Sequence, residues 1–342
     1  MVKVAINGFG RIGRLAFRQM FGAEGYEVVA INDLTSAKML AHLLKYDSSQ
    51  GNYVAQGHTV DFHEGEGEDN YIVVDGKKIV IYKMPNAADL PWGKLGVDVV
   101  LECTGFYTSK EKASAHIQAG ARKVVISAPA GNDLPTIVYN VNHDTLTAED
   151  TVISAASCTT NCLAPVLDLL NKCFIVENGF MSTVHAMTND QETLDIPHKK
   201  GIESRRGRAA SLNIVPTSTG AAKAIGKIIP ELDGKLSGSA YRVPVGDGSL
   251  IDLVVNVKKT VTAEVVNDMF KNNKSDIIKI VNVPLVSSDI IGCTEGAVVD
   301  SLLTSVIPTN TGSMIKVSAW YDNEWGYTAQ MLRVAEYWCK KR

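Results

Sequence analysis

Short apolar runs alternate with amphipathic stretches along the first half of the chain. Four of these runs have the length and composition of buried strands: Val2–Asn7, Glu27–Asn32, Val97–Glu102 and Lys123–Ser127. Three stretches gather apolar positions on one helical face: 11–22, Ser36–Leu44 and Lys110–Ala119. Two further runs, Tyr71–Val74 and Lys78–Tyr82, flank Asp75-Gly76 and predict a β-hairpin. The alternation predicts parallel βαβ units in this half.

The pattern changes near Ser157, where longer runs rich in β-branched residues begin. They predict strands at Phe180–Ala186, Leu250–Val257 and Met314–Trp320. Helical periodicity follows Cys158 and recurs at Gly220–Ile229, Thr262–Asn272 and Thr328–Lys340. Residues 187–219 are charged and lack periodicity, which predicts a long ordered loop. We expect domains at 1–157 and 158–322, with the C-terminal helix (323–342) packing back on the first.

Length and composition narrow the class of protein. A chain of 342 residues suits two domains. Its 34 basic and 37 acidic residues, net −3, give no electrostatic signal for nucleic acid or an anionic membrane. Six scattered cysteines without C-x-x-C indicate neither a disulfide framework nor a zinc site, so no metal is expected. With no signal peptide and no apolar run of about 18 residues, a cytoplasmic protein is expected.

A glycine-rich turn joins the first predicted strand to the first predicted helix. Gly8-Phe9-Gly10-Arg11-Ile12-Gly13 matches G-x-G-x-x-G, the pattern that lets a backbone approach a pyrophosphate at a helix N-terminus. Asp33 follows Gly13 by 20 residues, at the end of the second predicted strand. A carboxylate there binds a ribose 2′-hydroxyl and repels a 2′-phosphate, so NAD is favoured over NADP. We therefore predict an α/β Rossmann dinucleotide-binding domain for the first half.

A candidate nucleophile lies at the start of the second half. Cys158 falls at the N-terminus of a predicted helix, where the helix dipole is expected to lower the thiol pKa. His185 ends a predicted strand and could serve as the base that accepts the thiol proton. Residue types and sequence positions alone leave open whether the side chains of Cys158 and His185 lie close together. We predict an α+β catalytic domain with a mixed, largely antiparallel sheet.

The chain resembles phosphorylating glyceraldehyde-3-phosphate dehydrogenases along essentially its whole length. The resemblance rests on motifs in the order and spacing of that family: Asn7–Arg14, Asn32–Leu34, Leu43–Ser48, Ala156–Pro165, Thr183–His185 with Thr188–Gln191, Pro216–Ala224, Arg242–Pro244 and Trp320–Tyr327.

The resemblance implies an NAD-dependent glycolytic enzyme. It implies that Cys158 forms a thioester with D-glyceraldehyde 3-phosphate, that His185 accepts the proton, and that inorganic phosphate releases 1,3-bisphosphoglycerate. Cofactor-binding residues then match Gly8, Gly10, Arg11, Ile12, Gly13, Asp33, Ser127 and Asn323. Substrate and inorganic phosphate would bind Ser157, Thr159, Thr188, Arg206, Thr219, Gly220 and Arg242. A homotetramer follows from the resemblance as well.

Departures from the family pattern and rival functions remain open at this point. A short insertion around Lys199–Ser204 falls in a loop that, in the family, lines the neighbouring subunit's cofactor pocket. Lys83-Met84-Pro85 replaces an adenine-side Arg-Asp-Pro. An erythrose-4-phosphate dehydrogenase, which hydrolyses its thioester with water, is the alternative within the class. A binding protein that lost catalysis is the alternative outside it, but the presence of Cys158, His185 and Arg242 together counts against that alternative.

Overall fold

The computed structural model describes residues 1–199 and 201–341. Lys200, in the insertion noted above, and Arg342 lie outside the described residues. Chain contacts divide the molecule into two compact units. Residues 1–137, 143–156 and 331–341 make up the first unit, and residues 138–142 and 157–330 the second.

The first unit is built on a mostly parallel sheet. Its strands are β1 (Val2–Asn7), β2 (Tyr26–Asn32), β3 (Val60–His63), β4 (Tyr71–Val74), β5 (Lys77–Tyr82), β6 (Val99–Glu102), β7 (Lys123–Ile126) and β8 (Val152–Ser154). Its helices are α1 (Arg11–Met20), α2 (Ala37–Lys45), α3 (Trp92–Leu95) and α4 (Lys110–Gln118). The strand order is β3-β4-β5-β2-β1-β6-β7-β8, and only the β3-β4-β5 pairings are antiparallel. The predicted βαβ units and the hairpin are confirmed.

Local sequence accounts for where these helices begin and which face they bury. Ser36 precedes α2 and accepts a hydrogen bond from the Met39 amide at 3.2 Å, as a helix N-cap does. Helix α1 buries Leu15, Ala16 and Met20, one face of a 3.6-residue period. The helices therefore cover the strands and leave the turn between β1 and α1 at the carboxyl edge of the sheet.

The second unit contains a largely antiparallel sheet. Its strands are β9 (Val176–Ala186), β10 (Val215–Ser218), β11 (Leu236–Val243), β12 (Ser249–Val257), β13 (Ile278–Val281), β14 (Ala297–Asp300), β15 (Ser305–Thr309) and β16 (Gly312–Tyr321). Its helices are α5 (Cys158–Phe174), α6 (Ala221–Ile228) and α7 (Ala263–Asn272). Helix α8 (Trp325–Lys340) begins in this unit, and its residues from Met331 onward are counted with the first.

Strand order places the ends of β9 and β11 together. The order is β10-β11-β9-β12-β16-β14-β13, with β15 paired to β16. Two pairs are parallel, β9 with β11 and β13 with β14. In the β9–β11 register His185 faces Arg242, so both side chains arise at the same point of the sheet. The predicted mixed, largely antiparallel sheet is confirmed. Among the described residues, no helix is long and apolar enough to cross a bilayer.

Candidate active site

Two glycines shape the turn between β1 and α1 in the first unit. Gly8 has a φ of +91°, a backbone angle that residues with a side chain rarely adopt. A Cβ on Gly13 would lie 2.1 Å from the Gly8 carbonyl oxygen, so helix and strand approach closely only with glycine there. A Cβ on Gly10 would meet no heavy atom within 4 Å. The open space at Gly10 lies beside the uncapped N-terminus of α1, a position that suits a phosphate group.

Asp33 is held rigidly at the end of β2. One carboxylate oxygen accepts from the Phe9 amide at 2.8 Å, and the other accepts from the Thr35 amide at 2.9 Å. A cleft of about 640 Å³ is lined by Asp33, Gly8, Gly10 and ten other residues of this unit. Its volume and its fixed carboxylate fit a dinucleotide whose ribose hydroxyls face Asp33.

A buried polar network lies behind this cleft. Trp92 donates its indole N–H to Nδ1 of His116 at 3.0 Å, so the ring proton is on Nε2, which donates to Glu102 at 3.0 Å. Glu102 also accepts from the Asn7 side-chain amide at 2.5 Å and from the Thr104 amide at 2.8 Å. Asn7 and Thr104 line the cleft. The network therefore fixes part of the cleft wall, and the sequence motifs did not reveal it.

Five residues predicted to bind cofactor lie outside the cleft lining: Gly13, Asn323, Arg11, Ile12 and Ser127. Arg11 pairs with the buried carboxylate of Asp47 at 2.6 Å. Ile12 is partly buried in the first turn of α1. Ser127 follows β7, and its amide donates to the Glu102 carbonyl at 2.9 Å. Their cofactor contacts stay predictions.

Cys158 begins helix α5 of the second unit because Ser157 caps it. The Ser157 hydroxyl accepts from the Thr160 amide at 3.1 Å, which is N-cap geometry. Cys158 is partly accessible, whereas Cys162, one turn further on, is fully buried. The geometry suits Cys158 to meet a substrate and Cys162 to fill the core.

His185 lies within hydrogen-bond distance of Cys158. Its Nε2 is 3.3 Å from the Cys158 sulfur, and its Nδ1 is 2.7 Å from the Ala186 carbonyl oxygen. A carbonyl only accepts, so the ring proton is on Nδ1 and Nε2 presents its lone pair to the thiol. The structure thus brings together the two residues whose contact the sequence left open, and it orients His185 as a proton acceptor.

Burial dominates the electrostatics of this pair. Burial raises the pKa of the Cys158 thiol, and the Arg242 guanidinium and the Thr159 hydroxyl and amide act to lower that pKa. Burial, with the positive charge of Arg242, lowers the pKa of His185 to about 3. The expected low thiol pKa is therefore wrong for the ligand-free site, because desolvation exceeds the favourable field at the helix start. The resting pair is a neutral thiol and a neutral imidazole.

Arg242 presents an oriented guanidinium beside His185. One terminal nitrogen donates to the Thr188 hydroxyl at 2.6 Å and to the Ala186 carbonyl at 3.2 Å. Its Nε is buried and has no hydrogen-bond partner among the described residues. An anion on this nitrogen would satisfy a costly unpaired donor, which suits the arginine to phosphate.

Asp190 links two of the predicted phosphate-binding residues. Its carboxylate pairs with Arg206 and accepts from the Thr188 hydroxyl. Arg206 also donates from Nε to the Thr217 hydroxyl at 3.2 Å. The carboxylate therefore acts as the anionic partner of these groups in the ligand-free site, and neither Asp190 nor Thr217 was predicted.

The other predicted phosphate groups lie at helix starts. Gly220 is the N-cap of α6, and the Thr219 hydroxyl accepts from the Ala221 amide at 3.2 Å. Thr159, in the first turn of α5, bonds the Tyr321 hydroxyl at 3.0 Å. Within the described residues no hydrogen bond joins Thr219 or Gly220 to the Thr159 side chain. A shared phosphate site for these groups stays a prediction.

Asn323 carries an unused donor. Its side-chain oxygen accepts from the Ser249 hydroxyl at 2.6 Å, and that hydroxyl accepts in turn from the Ala186 amide at 3.0 Å. Its Nδ2 is buried and has no partner among the described residues. A carbonyl oxygen of a bound molecule would satisfy this amide, as the predicted cofactor contact requires.

Comparison with known proteins gives the same result for both halves. Residues 2–110 match the family model described as glyceraldehyde 3-phosphate dehydrogenase, NAD binding domain, and residues 157–323 match its C-terminal domain. The glyceraldehyde-3-phosphate dehydrogenase of Clostridium acetobutylicum is 54% identical over 340 residues, 99% of each chain. The corresponding proteins of Lactobacillus delbrueckii subsp. bulgaricus and Streptococcus pyogenes are 54% and 50% identical, over 97% and 99% of each chain.

Proposed function

Because the chain belongs to the glyceraldehyde-3-phosphate dehydrogenase family, we propose that it converts D-glyceraldehyde 3-phosphate and inorganic phosphate to 1,3-bisphosphoglycerate. It is an NAD-dependent oxidoreductase, and the reaction is a step of glycolysis. The observation that carries the proposal is the 3.3 Å approach of the Cys158 sulfur to His185 Nε2. That approach supplies both a nucleophile and the base it needs.

The residues at the cleft of the first unit fit NAD. Open space at Gly10 leaves room for phosphate oxygens beside the α1 amides. The fixed carboxylate of Asp33 accepts hydrogen bonds from hydroxyls and repels an added phosphate. In the second unit the unpaired Nδ2 of Asn323 would bind the nicotinamide carboxamide. When bound, NAD supplies the hydride acceptor for oxidation of the aldehyde.

Cys158 and His185 divide the proton and carbon chemistry between them. The sulfur forms a bond to the aldehyde carbon as its proton passes to Nε2 of His185, whose Nδ1–H remains bonded to the Ala186 carbonyl. The imidazolium then donates this proton to the carbonyl oxygen, which becomes the hemithioacetal hydroxyl, and the imidazole accepts the same proton again when the carbon is oxidised. Cys158 retains the acyl group as a thioester, which keeps the carbonyl reactive toward a second nucleophile.

The anion-binding groups determine which nucleophile completes the reaction. Arg242 and Thr188 would bind the substrate phosphate. Ser157, Thr159, Arg206, Thr219 and Gly220 would bind inorganic phosphate and hold it for attack on the thioester. A water nucleophile would need none of these groups, so the set supports phosphorolysis. The relatives named above do not favour the erythrose-4-phosphate alternative.

Exposed apolar side chains on β9 and β11 support assembly with further copies of the chain. Phe180 is 72% exposed, and Val184 and Tyr241 are each 40% exposed. Val184 and Tyr241 are register partners, and Phe180 lies four residues along the strand on the same face. An apolar face of this kind usually contacts a partner. We propose a cytoplasmic homotetramer that uses it.

The test of the proposed reaction compares turnover with and without phosphate. NADH formation from D-glyceraldehyde 3-phosphate should require inorganic phosphate and should fall by at least about 10³-fold in Cys158→Ser. Cys162→Ala, which changes a buried cysteine one turn further on, should retain activity and serves as the control. Phosphate-independent oxidation of erythrose 4-phosphate that exceeds turnover of the three-carbon aldehyde would contradict the proposal.

A further inference from the structure

The Asp190 carboxylate engages groups from both of the expected anion sites. One of its oxygens accepts from the Thr188 hydroxyl, and the other pairs with a terminal nitrogen of Arg206. In the proposed reaction Thr188 and Arg242 would bind the substrate phosphate, whereas Arg206 would bind inorganic phosphate. One internal carboxylate therefore uses donors that two separate anions would need.

Proton counting shows that the Thr188 hydroxyl cannot serve Asp190 and a phosphate together. This hydroxyl accepts from a terminal nitrogen of Arg242 at 2.6 Å. Its single proton goes to Asp190, because an ionised carboxylate only accepts hydrogen bonds. A phosphate oxygen that binds Thr188 needs the same proton. Binding of a phosphate through Thr188 therefore requires that Asp190 first release this hydroxyl.

Arg206 presents the same choice between Asp190 and a bound anion. Its Nε donates to the Thr217 hydroxyl at 3.2 Å, and a terminal nitrogen of the same guanidinium pairs with Asp190. The Arg206 side chain is 18% exposed, whereas that of Asp190 is 45% exposed. A released carboxylate can turn to water at little cost, but the mostly buried guanidinium needs another anion in its place.

The exchange requires the movement of one side chain. The Gln191 amide donates to the Thr188 carbonyl at 3.0 Å, and the Thr188 amide donates to the Gln191 side chain at 3.3 Å. The Glu192 amide donates to the Arg206 carbonyl at 3.0 Å. These bonds hold the backbone on both sides of Asp190 whichever way its carboxylate points. Asp190 thus has two arrangements, one bound to Thr188 and Arg206 and one turned to solvent.

We propose that Asp190 is an internal competitor that couples the two anion sites. The first anion displaces the carboxylate from both Thr188 and Arg206, and the second anion then binds without that cost. The coupling is positive and reciprocal, so each anion tightens the binding of the other. The arrangement favours a pair of anions over either one alone. The inference rests on the proposed function in taking Thr188, Arg242 and Arg206 as anion-binding groups.

Asp190→Asn tests the inference because the amide keeps the size of the side chain and removes its charge. The measurement is isothermal titration calorimetry of the full-length protein without NAD, with inorganic phosphate as the titrant. The titration is run with and without a fixed high concentration of glycerol 3-phosphate, a phosphate ester that has no aldehyde. Without the ester, we expect phosphate to bind about three- to fivefold more tightly to the variant, the effect of losing a good ion pair at a partly exposed site.

The effect of the ester separates a competitor from a carboxylate that merely repels anions. Glycerol 3-phosphate should improve phosphate binding more in the wild type than in Asp190→Asn, by about the same three- to fivefold factor. Repulsion between the two anions acts alike in both proteins and cancels from this comparison. A merely repelling charge would weaken phosphate binding equally with and without the ester. An equal effect of the ester in the two proteins, or an unchanged phosphate affinity in the variant, would overturn the inference.

Asp195→Asn is the matched control. Asp195 is an exposed carboxylate of the same loop, and it pairs with Arg208 at 2.9 Å. Phosphate affinity and the effect of glycerol 3-phosphate should match the wild type in this variant. Gains equal to those of Asp190→Asn would mean that any negative charge removed from the loop has the same effect, and would refute a competitor at Asp190.

Failure of the inference can be told from failure of the proposed function. The titrations require no NAD and no turnover, so they can be made whichever reaction the protein catalyses. Turnover without inorganic phosphate would contradict the proposed function, and the titrations would still measure the coupling through Asp190. Coupling that is equal in the wild type and Asp190→Asn would overturn the inference even where turnover requires phosphate.

Discussion

One backbone carbonyl determines which way a proton moves at Cys158. The Ala186 oxygen accepts the Nδ1 proton of His185 and so leaves Nε2 as the basic nitrogen toward the thiol. The opposite tautomer would present an N–H to sulfur and could not accept its proton. The backbone at the end of β9 is therefore part of what makes His185 a base.

Residue chemistry was partly predictable from the sequence. A cysteine after a capping serine and a histidine at a strand end indicated a nucleophile and a base. The distance between the two side chains could not be predicted, because they are 27 positions apart in the sequence. Their approach depends on how β9 pairs with β11 and β12. The thiol pKa was predicted in the wrong direction because a helix start can be read from sequence, whereas burial of the sulfur cannot.

A buried pair of carboxyl groups makes stability depend on pH. Asp247 and Asp322 are 2% and 1% exposed and hydrogen-bond each other. Burial and the negative charges of Asp322 and Glu324 raise the pKa of Asp247 to about 8. An aspartate in an unfolded chain titrates near 4. The folded state therefore holds an extra proton between about pH 4 and 8, and its stability falls as the pH rises through this window.

Asp247→Asn should remove this dependence, because the amide resembles the neutral carboxyl in shape. We expect the free energy of unfolding to fall less in the variant than in the wild type between pH 5 and 8.5, by about 1–2 kcal/mol. Urea unfolding of the wild type and the variant at pH 5 and pH 8.5 measures this fall in the free energy of unfolding. Asp268→Asn, an exposed change on α7 of the same unit, is the control. Equal pH slopes in the wild type and Asp247→Asn would contradict the prediction.

At the level of secondary-structure elements, hydrophobic periodicity predicted the strands and helices whose own sequence has a clear pattern. The βαβ alternation of the first unit and strands β9, β12 and β16 were predicted within a few residues. Strands β10 and β11 were missed. Residues 236–243 include two serines and a glycine, which are poor strand formers, and they form β11 because β9 and β10 pair with both of its edges.

The turn between β1 and α1 allows the roles of two glycines to be separated. Gly13→Ala would place a Cβ 2.1 Å from the Gly8 carbonyl oxygen, so we expect a loss of about 2–4 kcal/mol in unfolding free energy. Gly10→Ala meets open space, so its stability should match the wild type. Its added methyl would occupy space needed by the pyrophosphate, and NAD affinity should fall at least about tenfold.

Calorimetry and NAD titration of both variants measure these effects. Each glycine variant is the matched control of the other, since the same methyl group is added three residues apart. Wild-type NAD affinity in Gly10→Ala would show that the open space beside α1 does not receive the dinucleotide.

The whole molecule has a first unit assembled from three separate segments of the chain. The last of them carries Trp338, which is fully buried. Lys123 of β7 donates to the Trp338 carbonyl at 2.5 Å, and its ammonium lies 4.7 Å from the indole centroid. Tyr26 donates to the Leu332 carbonyl at 3.2 Å. Helical periodicity predicts a helix at these residues, and we expected this helix to pack back on the first domain.

Removal of the Trp338 side chain should therefore destabilise the first unit. Trp338→Ala should cost about 3–5 kcal/mol, the usual loss for a buried aromatic residue. Urea unfolding in the presence and absence of NAD measures the loss and assigns it to the unit that binds the dinucleotide. Lys340→Ala, at an exposed position of the same helix, should change stability by less than about 0.5 kcal/mol. A similar loss in both variants would contradict the assignment.

The three-segment first unit reverses the order in which the halves of the chain can mature on a ribosome. Synthesis at about 5–20 residues per second normally lets an N-terminal domain fold first. Here the residues of the second unit have all been made once Gln330 is added, while the first still awaits residues 331–341. Its core stays without Trp338 until that residue has been made and has left the ribosome, so the nascent chain exposes an apolar surface that chaperones can bind. The half that is synthesised first is the half that finishes folding last.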